Sequence, residues 1–176
     1  NDGGGDIGRN TLLLILNTPL PQVTSEIYTG VEWIPGPAYP RDKYAAYPCL
    51  VNLNANQTML IGGYELSEWY MLNEVWIYDW MTEEWAQTAP LAEPRQAHGC
   101  VSLGGSVLVA GGIDGDGVAF RSVELFDGSS WSPQPDLPGF MNEMGDVKAD
   151  GSILLNGGGE GGRGRERGLI VGLFKV

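Results

Sequence analysis

Short apolar runs separated by turn residues follow one another along the whole chain. Short runs rich in Val, Ile, Leu, Tyr and Trp are bounded by Gly, Pro, Asn and Asp. No run keeps the periodicity of an amphipathic helix beyond about two turns. Turn sequences such as NANQT (54–58) and SLGGS (102–106) stand directly before apolar runs, where hairpin connections are expected. The pattern predicts an all-β protein.

One apolar run recurs at a regular spacing and ends each time in two glycines. The pairs are Gly62 and Gly63, Gly111 and Gly112, and Gly157 and Gly158, so the steps are 49 and 46 residues. Glycine weakens a strand unless another part of the backbone comes close or φ turns positive. Self-similarity at this period is the signature of a repeat architecture, in which each repeat is one supersecondary unit.

Aromatic residues mark the second half of each repeat. An aromatic residue precedes a tryptophan in the pairs Tyr28 and Trp33, Tyr78 and Trp85, and Phe126 and Trp131. Cys49 and Cys100 stand upstream of two of the glycine pairs, in YPCLVNL and HGCVSL, and we align them as equivalent positions.

These residues resemble kelch repeats, in which a glycine pair ends the second strand, an aromatic residue lies in the third and a tryptophan begins the fourth. The stretch 94–138 resembles the family along its whole length, including Arg95 and His98 before the first strand. The resemblance implies a β-propeller in which each repeat is a four-stranded antiparallel blade. It also implies that the glycines allow close backbone packing where strands converge, and that the tryptophans pack between blades.

The resemblance divides residues 1–176 into one propeller segment that touches about four blades. The approximate repeats are 1–40, 41–93, 94–138 and 139–176. The first repeat has TLLLILNTP where a glycine pair is expected, and the last has Met141 and Met144 where Arg and His align and stops before any tryptophan. Because repeat arrays need neighbours to cover their faces, we expect further blades in the same or another chain.

Net charge and hydropathy make some classes of binding partner unfavourable. The chain has 22 acidic and 10 basic residues, a net charge of −12, so nucleic acid is an unfavourable partner. We interpret the basic cluster of Arg163, Arg165 and Arg167 as a polar loop between strands. Because no stretch approaches 18 apolar residues, no membrane insertion is expected.

The two cysteines do not fix the compartment, whereas one sequon bears on it. If Cys49 and Cys100 are equivalent on adjacent blades, their atoms are too far apart for a disulfide, so we expect buried free thiols, with a bridge as the alternative. Asn56 begins the sequon Asn-Gln-Thr in a predicted hairpin turn, where a glycan is tolerated. This stretch is also reminiscent of secreted invertebrate kelch-type proteins. We therefore expect an extracellular protein, with a cytoplasmic one as the alternative.

Two motifs that resemble a dinucleotide-binding site and a calcium site have simpler interpretations. Gly157, Gly159 and Gly162 match a dinucleotide fingerprint, but a loop and a strand follow where a helix is required. Asp114 and Asp116 resemble the start of a calcium loop, but the late acidic ligand is misplaced. We expect an ordinary loop and no metal or cofactor.

Catalytic residues are not predicted either. His98 is the chain's only histidine, and with Cys100 it is expected to line an inner strand. Glu83 and Glu84 are expected to be solvated turn residues, because neighbours on a strand point to opposite faces. A galactose-oxidase-like copper site needs more than one histidine, so such a site would lie outside this chain.

One connection is unusually apolar. YELSEWYMLN, at 64–73, joins the second and third strands of its repeat and carries Trp69, Tyr70 and Met71. Such groups are common in interaction hot spots, although they could instead fold back onto a neighbouring blade. We therefore expect a protein-binding or structural module. The alternatives are a segment of an intracellular substrate adaptor for ubiquitin ligation and the scaffold of a galactose-oxidase-like enzyme.

Overall fold

The computed structural model of the chain describes residues 12–16, 24–28, 31–38, 40, 45–139, 145–147, 153–155 and 173–174. Every regular element in these ranges is a β-strand and every strand pairing is antiparallel, so the all-β prediction is confirmed. The glycines at 157–162, the arginines at 163–167 and the methionines at 141 and 144 lie outside the described residues.

Fifteen strands make up the described part of the fold. They are β1 (Leu12–Leu16), β2 (Thr24–Tyr28), β3 (Trp33–Pro35), β4 (Ala45–Ala46), β5 (Cys49–Asn54), β6 (Gln57–Glu65), β7 (Tyr70–Asp79), β8 (Glu84–Thr88), β9 (Gly99–Ser102), β10 (Val107–Ala110), β11 (Val123–Phe126), β12 (Trp131–Gln134), β13 (Gly145–Val147), β14 (Ile153–Leu155) and β15 (Leu173–Phe174). The chain forms two compact units, Asn1–Tyr44 and Ala45–Val176.

Four sheets follow one another in chain order. The first unit contains the sheet β1–β2–β3, in which Ser25 Oγ donates a hydrogen bond to the carbonyl oxygen of Pro37 at 2.6 Å. In the second unit, the second sheet is formed by β4 to β8, the third by β9 to β12 and the fourth by β13 to β15. The innermost strands β5, β9 and β13 lie side by side, as do the inner strands of neighbouring propeller blades.

The second and third sheets enclose one hydrophobic core between them. Its buried residues are Leu53, Met59, Ile61, Val75, Leu91, Cys100, Val107, Val109 and Phe126. Burial of each large side chain contributes about 1.5–3 kcal/mol, so the core is a major stabilising element. At the outer edge, Trp131 packs against this core and its Nε1 donates to the carbonyl oxygen of Ala89 at 2.8 Å.

The aromatic pairs occupy the same register in three sheets. Trp33 lies opposite Tyr28, Trp85 opposite Tyr78 and Trp131 opposite Phe126. The ring centroids are 5.1 Å apart in the pairs Tyr78–Trp85 and Phe126–Trp131. Such pairs contribute about 0.5–1.5 kcal/mol beyond their buried area. The recurrence ties the sequence repeat to a repeated cross-strand contact.

The first glycine pair lies where two repeats meet. A Cβ atom on Gly62, which has φ +58°, would stand 2.7 Å from the carbonyl oxygen of Arg95 in the segment leading into the third sheet. The amide of Gly63 donates to that same oxygen at 2.9 Å. Gly112 instead lies against its own repeat, because its Cβ would stand 2.7 Å from the carbonyl oxygen of Gln96.

The prediction of free thiols is wrong, because Cys49 and Cys100 form a disulfide with Cα atoms 6.1 Å apart. Strand register gives the reason. Cys49 pairs with Ile61, which directly precedes a glycine pair, whereas Cys100 pairs with Val109, one residue further from the next pair. The two cysteines are therefore not equivalent positions.

This one-residue offset turns the two side chains to opposite faces of their strands. Cys49 therefore points from the second sheet towards the third, and Cys100 points back across the shared core. The bond links residues 51 apart in sequence, for which the chain-entropy model gives a stabilisation of about 4 kcal/mol.

The contact at Gly62 can be tested with Gly62→Ala and the matched control Gly104→Ala. Both glycines have positive φ, but nothing lies within 4 Å of a Cβ on Gly104. The control variant should lose about 1 kcal/mol of unfolding free energy, from backbone strain alone. Gly62→Ala should lose about 3 kcal/mol, because the overlap with Arg95 is added. Equal losses in guanidinium chloride unfolding would contradict this assignment.

Candidate partner-binding surface

The second sheet presents different connections at its two ends. At one end lie the turns at 55–56 and 80–83, which are tied together because the Trp80 amide donates to the Asn56 carbonyl oxygen at 2.9 Å. Asn56 is exposed in this turn. At the opposite end lie the turn at 66–69 and the segment at 45–48 before β5. The sequon and the apolar connection are therefore on opposite ends of the sheet.

The apolar connection is shorter than the sequence predicts. Tyr64 pairs with Met71 and Glu65 with Tyr70, so only residues 66–69 form the turn. The prediction of a loop over 64–73 is wrong, because β6 does not end at its glycine pair. A register shift between Ile61 and Gly63 absorbs the irregularity and lets the strand continue.

A buried carboxylate holds this turn in place. Glu65 has no exposed surface, and its side chain accepts hydrogen bonds from the Ser67 amide at 3.0 Å, the Ser67 hydroxyl at 2.7 Å and the Glu68 amide. The Trp69 amide donates to the Glu65 carbonyl oxygen at 3.1 Å, and Trp69 has φ +62°. The turn is thus fixed by its own hydrogen bonds.

The turn after β7 has the same construction. Asp79 Oδ1 accepts from the Met81 amide at 2.8 Å, and the Glu83 amide donates to the Asp79 carbonyl oxygen at 2.8 Å. Glu83 has φ +59°, so it takes the place that Trp69 takes in the other turn. The left-handed backbone at Trp69 is therefore a requirement of the turn, and a bulky aromatic residue fills a position that suits Gly or Asn better.

Exposed apolar side chains gather at this end of the sheets. We define the aromatic surface as Tyr47, Leu66, Trp69, Tyr70 and Val118, which are 67%, 39%, 76%, 40% and 58% exposed. Met71 behaves differently, because its Cγ would be 3.9 Å from a Cβ placed on Gly115 of the third sheet's loop. Of the three predicted binding residues, Trp69 and Tyr70 are exposed and Met71 faces the neighbouring sheet.

The neighbouring loop at 113–121 is also held by a carboxylate. Asp114 Oδ1 accepts from the Asp116 amide at 2.9 Å and the Val118 amide at 2.8 Å. The carboxylate considered as a calcium ligand thus bonds to its own loop. Within the described ranges, no three His, Cys, Asp or Glu side chains are grouped so as to hold a metal ion.

Arg95 is the buried centre of a polar network in the segment that leads into the third sheet. Its guanidinium donates to Glu124 Oε1 at 2.9 Å, to Glu93 Oε2 at 3.1 Å and to the carbonyl oxygen of Gly111 at 2.9 Å. Burial lowers the pKa of Arg95, and the neighbouring carboxylates of Glu124 and Glu93 oppose that shift. The network joins the segment between the two sheets to β11.

His98 is buried beside this network. Neither ring nitrogen has a hydrogen-bond partner among the described residues. Burial, with a smaller contribution from the charge of Arg95, lowers the pKa of His98 to about 3, so the ring is neutral at physiological pH. Its ring stands close to Gly62, where it helps to fill the junction between the repeats.

Comparisons with known proteins agree with the repeat architecture. The family model described as the Kelch motif matches residues 94–138. Human Kelch-like protein 23 is 33% identical over 98 residues, covering 54% of this chain and 16% of that protein. An F-box/kelch-repeat protein of Arabidopsis thaliana is 32% identical over 80 residues, covering 45% of this chain and 20% of that protein.

The chain contains a kelch repeat and is similar to kelch-repeat proteins over about half of its length. The solved structure of YjhT matches with a TM-score of 0.68 at 16% identity, covering 79% of this chain and 46% of that one. This similarity shows the fold alone, and it confirms the prediction of a β-propeller. Kelch repeats imply a protein-interaction module.

The matched part of this kelch chain corresponds to only about a fifth of each of the two curated relatives. No helix in the described part of the chain is long and apolar enough to cross a membrane. The division of 1–176 into four repeats and the assignment of Asn56 as a glycan acceptor stay predictions.

The buried His98 predicts a specific pH dependence of stability. Its folded pKa of about 3 lies below the unfolded value of about 6.5, so the unfolded chain binds more protons between these values. The stabilisation is therefore complete above about pH 6.5 and is lost as the pH falls. Between pH 7 and 5, we expect His98 to account for a loss of about 2 kcal/mol in unfolding free energy.

The control is His98→Gln, because no other histidine in the chain titrates in this range. Chemical denaturation at each pH should give a flatter profile for the variant than for the natural sequence. Identical slopes for the two proteins would show that the ring is not buried in the neutral form.

Proposed function

We propose that this kelch chain is a non-catalytic module that binds a protein partner through the aromatic surface. The observation that carries the proposal is Trp69. Its indole is 76% exposed on a turn that the buried Glu65 fixes, at a backbone position where an aromatic residue is sterically disfavoured. Retaining such a residue is costly unless the exposed ring has a role.

The surroundings of Trp69 support the same function. Interaction hot spots are enriched in Trp and Tyr, and Tyr47 and Tyr70 lie at the same end of the second sheet. Rigid strands carry the turn, so little conformational entropy would be lost there on binding. The function does not need any metal, cofactor or catalytic residue.

A photo-crosslinking experiment tests the proposal. A photoreactive amino acid at position 69 should crosslink the partner in the protein's native setting, whereas the same residue at position 81 should not. Met81 is a matched control because it is 74% exposed at the opposite end of the sheet. For a hot-spot tryptophan, Trp69→Ala should weaken binding of the identified partner by about 30-fold.

Met81→Ala should leave that affinity unchanged, and both variants should keep the thermal stability of the natural chain because the two side chains are exposed. Crosslinks from position 81 that equal those from position 69 would argue against the aromatic surface. An unaltered affinity of Trp69→Ala for the captured partner would overturn the proposal.

We further propose an extracellular setting for the module. The bond between Cys49 and Cys100 supports it, since structural disulfides persist in oxidising compartments and are rare in the cytosol. The sequon at Asn56 is compatible with it, because that turn is exposed and points away from the aromatic surface. A glycan there would leave the aromatic surface accessible.

A segment of an intracellular substrate adaptor for ubiquitin ligation is the second candidate. The observation that favours it is the similarity to an F-box/kelch-repeat protein and to Kelch-like protein 23. Both candidates bind a protein through kelch loops, so they differ in compartment and in attached domains. The redox state of the cysteines distinguishes them.

Differential alkylation measures that redox state in protein isolated from its natural source. Free thiols are blocked with N-ethylmaleimide during lysis, and the protein is then reduced and treated with iodoacetamide. An extracellular protein should carry the second label at both Cys49 and Cys100. The first label at both positions would contradict the extracellular proposal and favour the adaptor, with a sample reduced before blocking as the control.

A further inference from the structure

The second and third sheets carry a strongly one-sided charge. Residues 45–139 contain twelve carboxylate side chains but only two basic side chains, Arg95 and Arg121, apart from the neutral His98. Arg95 has no exposed surface and is paired with Glu124 and Glu93. Arg121 is exposed, and its Nε donates to the Leu137 carbonyl oxygen at 2.7 Å. The exterior of this region is therefore predominantly negative.

Several carboxylates lie in the same turn and loop as residues of the aromatic surface. Glu68 lies in the turn with Trp69, and Asp114 and Asp116 lie in the neighbouring loop with Val118. That loop is adjacent to the second sheet, because Met71 contacts the position of Gly115. A partner on Trp69 would thus meet aromatic faces and negative charge together.

Aromatic faces and carboxylates attract the same class of group. A guanidinium or ammonium group over the face of Trp or Tyr gains a cation–π interaction, which is strongest for Trp. Nearby carboxylates add charge–charge attraction and suppress binding of acidic partners. Apolar partners alone would gain nothing from the charge that surrounds this surface.

We infer that the aromatic surface binds a peptide segment of the partner that carries arginine or lysine next to apolar residues. The inference rests on the proposed protein-binding function and adds the chemistry of the ligand. Trp69 contacts the cation or the apolar side chain beside it, and the negative charge of Asp116 attracts the segment to the surface.

A display selection tests the ligand chemistry without a known partner. A random dodecapeptide library is selected on the immobilised chain at low salt, and the enriched peptides are compared with those selected on Trp69→Ala. We expect enrichment of Arg and Lys on the natural chain only. For one synthetic peptide from the selection, replacing arginine by the neutral analogue citrulline should weaken binding by about tenfold.

Two charge variants locate the interaction. Asp116→Asn and Glu84→Gln each remove one exposed negative charge, but Glu84 begins β8 at the opposite end of the second sheet. Asp116→Asn should lower the affinity for the arginine-containing peptide by about threefold, and Glu84→Gln should leave that affinity unchanged. The difference between the two variants should shrink in high salt. Equal effects of the two variants would indicate general attraction to an acidic protein and overturn the inference.

The outcomes separate this inference from the proposed function. Enriched peptides that need Trp69 but lack basic residues would refute the basic ligand while supporting the binding surface. Peptides that bind Trp69→Ala equally well would overturn the inference, and the crosslinking from position 69 would then decide independently whether the surface binds a protein.

Discussion

The distance between the second and third sheets is set where the carbonyl group of Arg95 rests on Gly62. A side chain at position 62 would hold the backbones apart, since a Cβ there would be 2.7 Å from that oxygen. The hydrophobic core between the sheets needs this approach, because its side chains interdigitate only at a fixed separation. The disulfide needs it as well, because it requires Cα atoms within about 7 Å of each other. Close packing and the covalent bond thus have one common cause.

The polar groups at this junction offset the desolvation cost of burying a charged side chain. Arg95 leaves water completely, and its guanidinium is compensated by the Glu124 and Glu93 carboxylates and by the Gly111 carbonyl oxygen. Removal of one partner from such a network costs more than the network contributes, because a charge is then left buried. The same segment carries His98, which remains neutral because no acceptor or counter-charge among the described residues stabilises its protonated form. The junction therefore has a defined polar arrangement as well as an apolar one.

The sequence predicted the features that depend on composition and period, and missed those that depend on register. Strand content follows from the short apolar runs and the repeat from the spacing of the glycine pairs, whereas the propeller architecture came from the resemblance to kelch repeats. The disulfide was missed because Cys49 and Cys100 align by sequence context, while a one-residue offset in pairing turns their side chains towards each other. The length of the connection at 66–69 was overestimated, because the register shift between Ile61 and Gly63 cannot be predicted from hydrophobicity. Side-chain exposure separates Trp69 from Met71, although the two are equally apolar in the sequence.

Rigidity links this junction to the aromatic surface. The glycine pair continues directly into the end of β6, where buried Glu65 holds the turn that bears Trp69. Gly62 and the carboxylate that fixes the turn therefore belong to one continuous strand. A ring held in one place loses little entropy when a partner covers it, whereas a mobile one must first be ordered. Packing between the repeats thus contributes to binding indirectly, by keeping an exposed side chain in its binding position before the partner arrives.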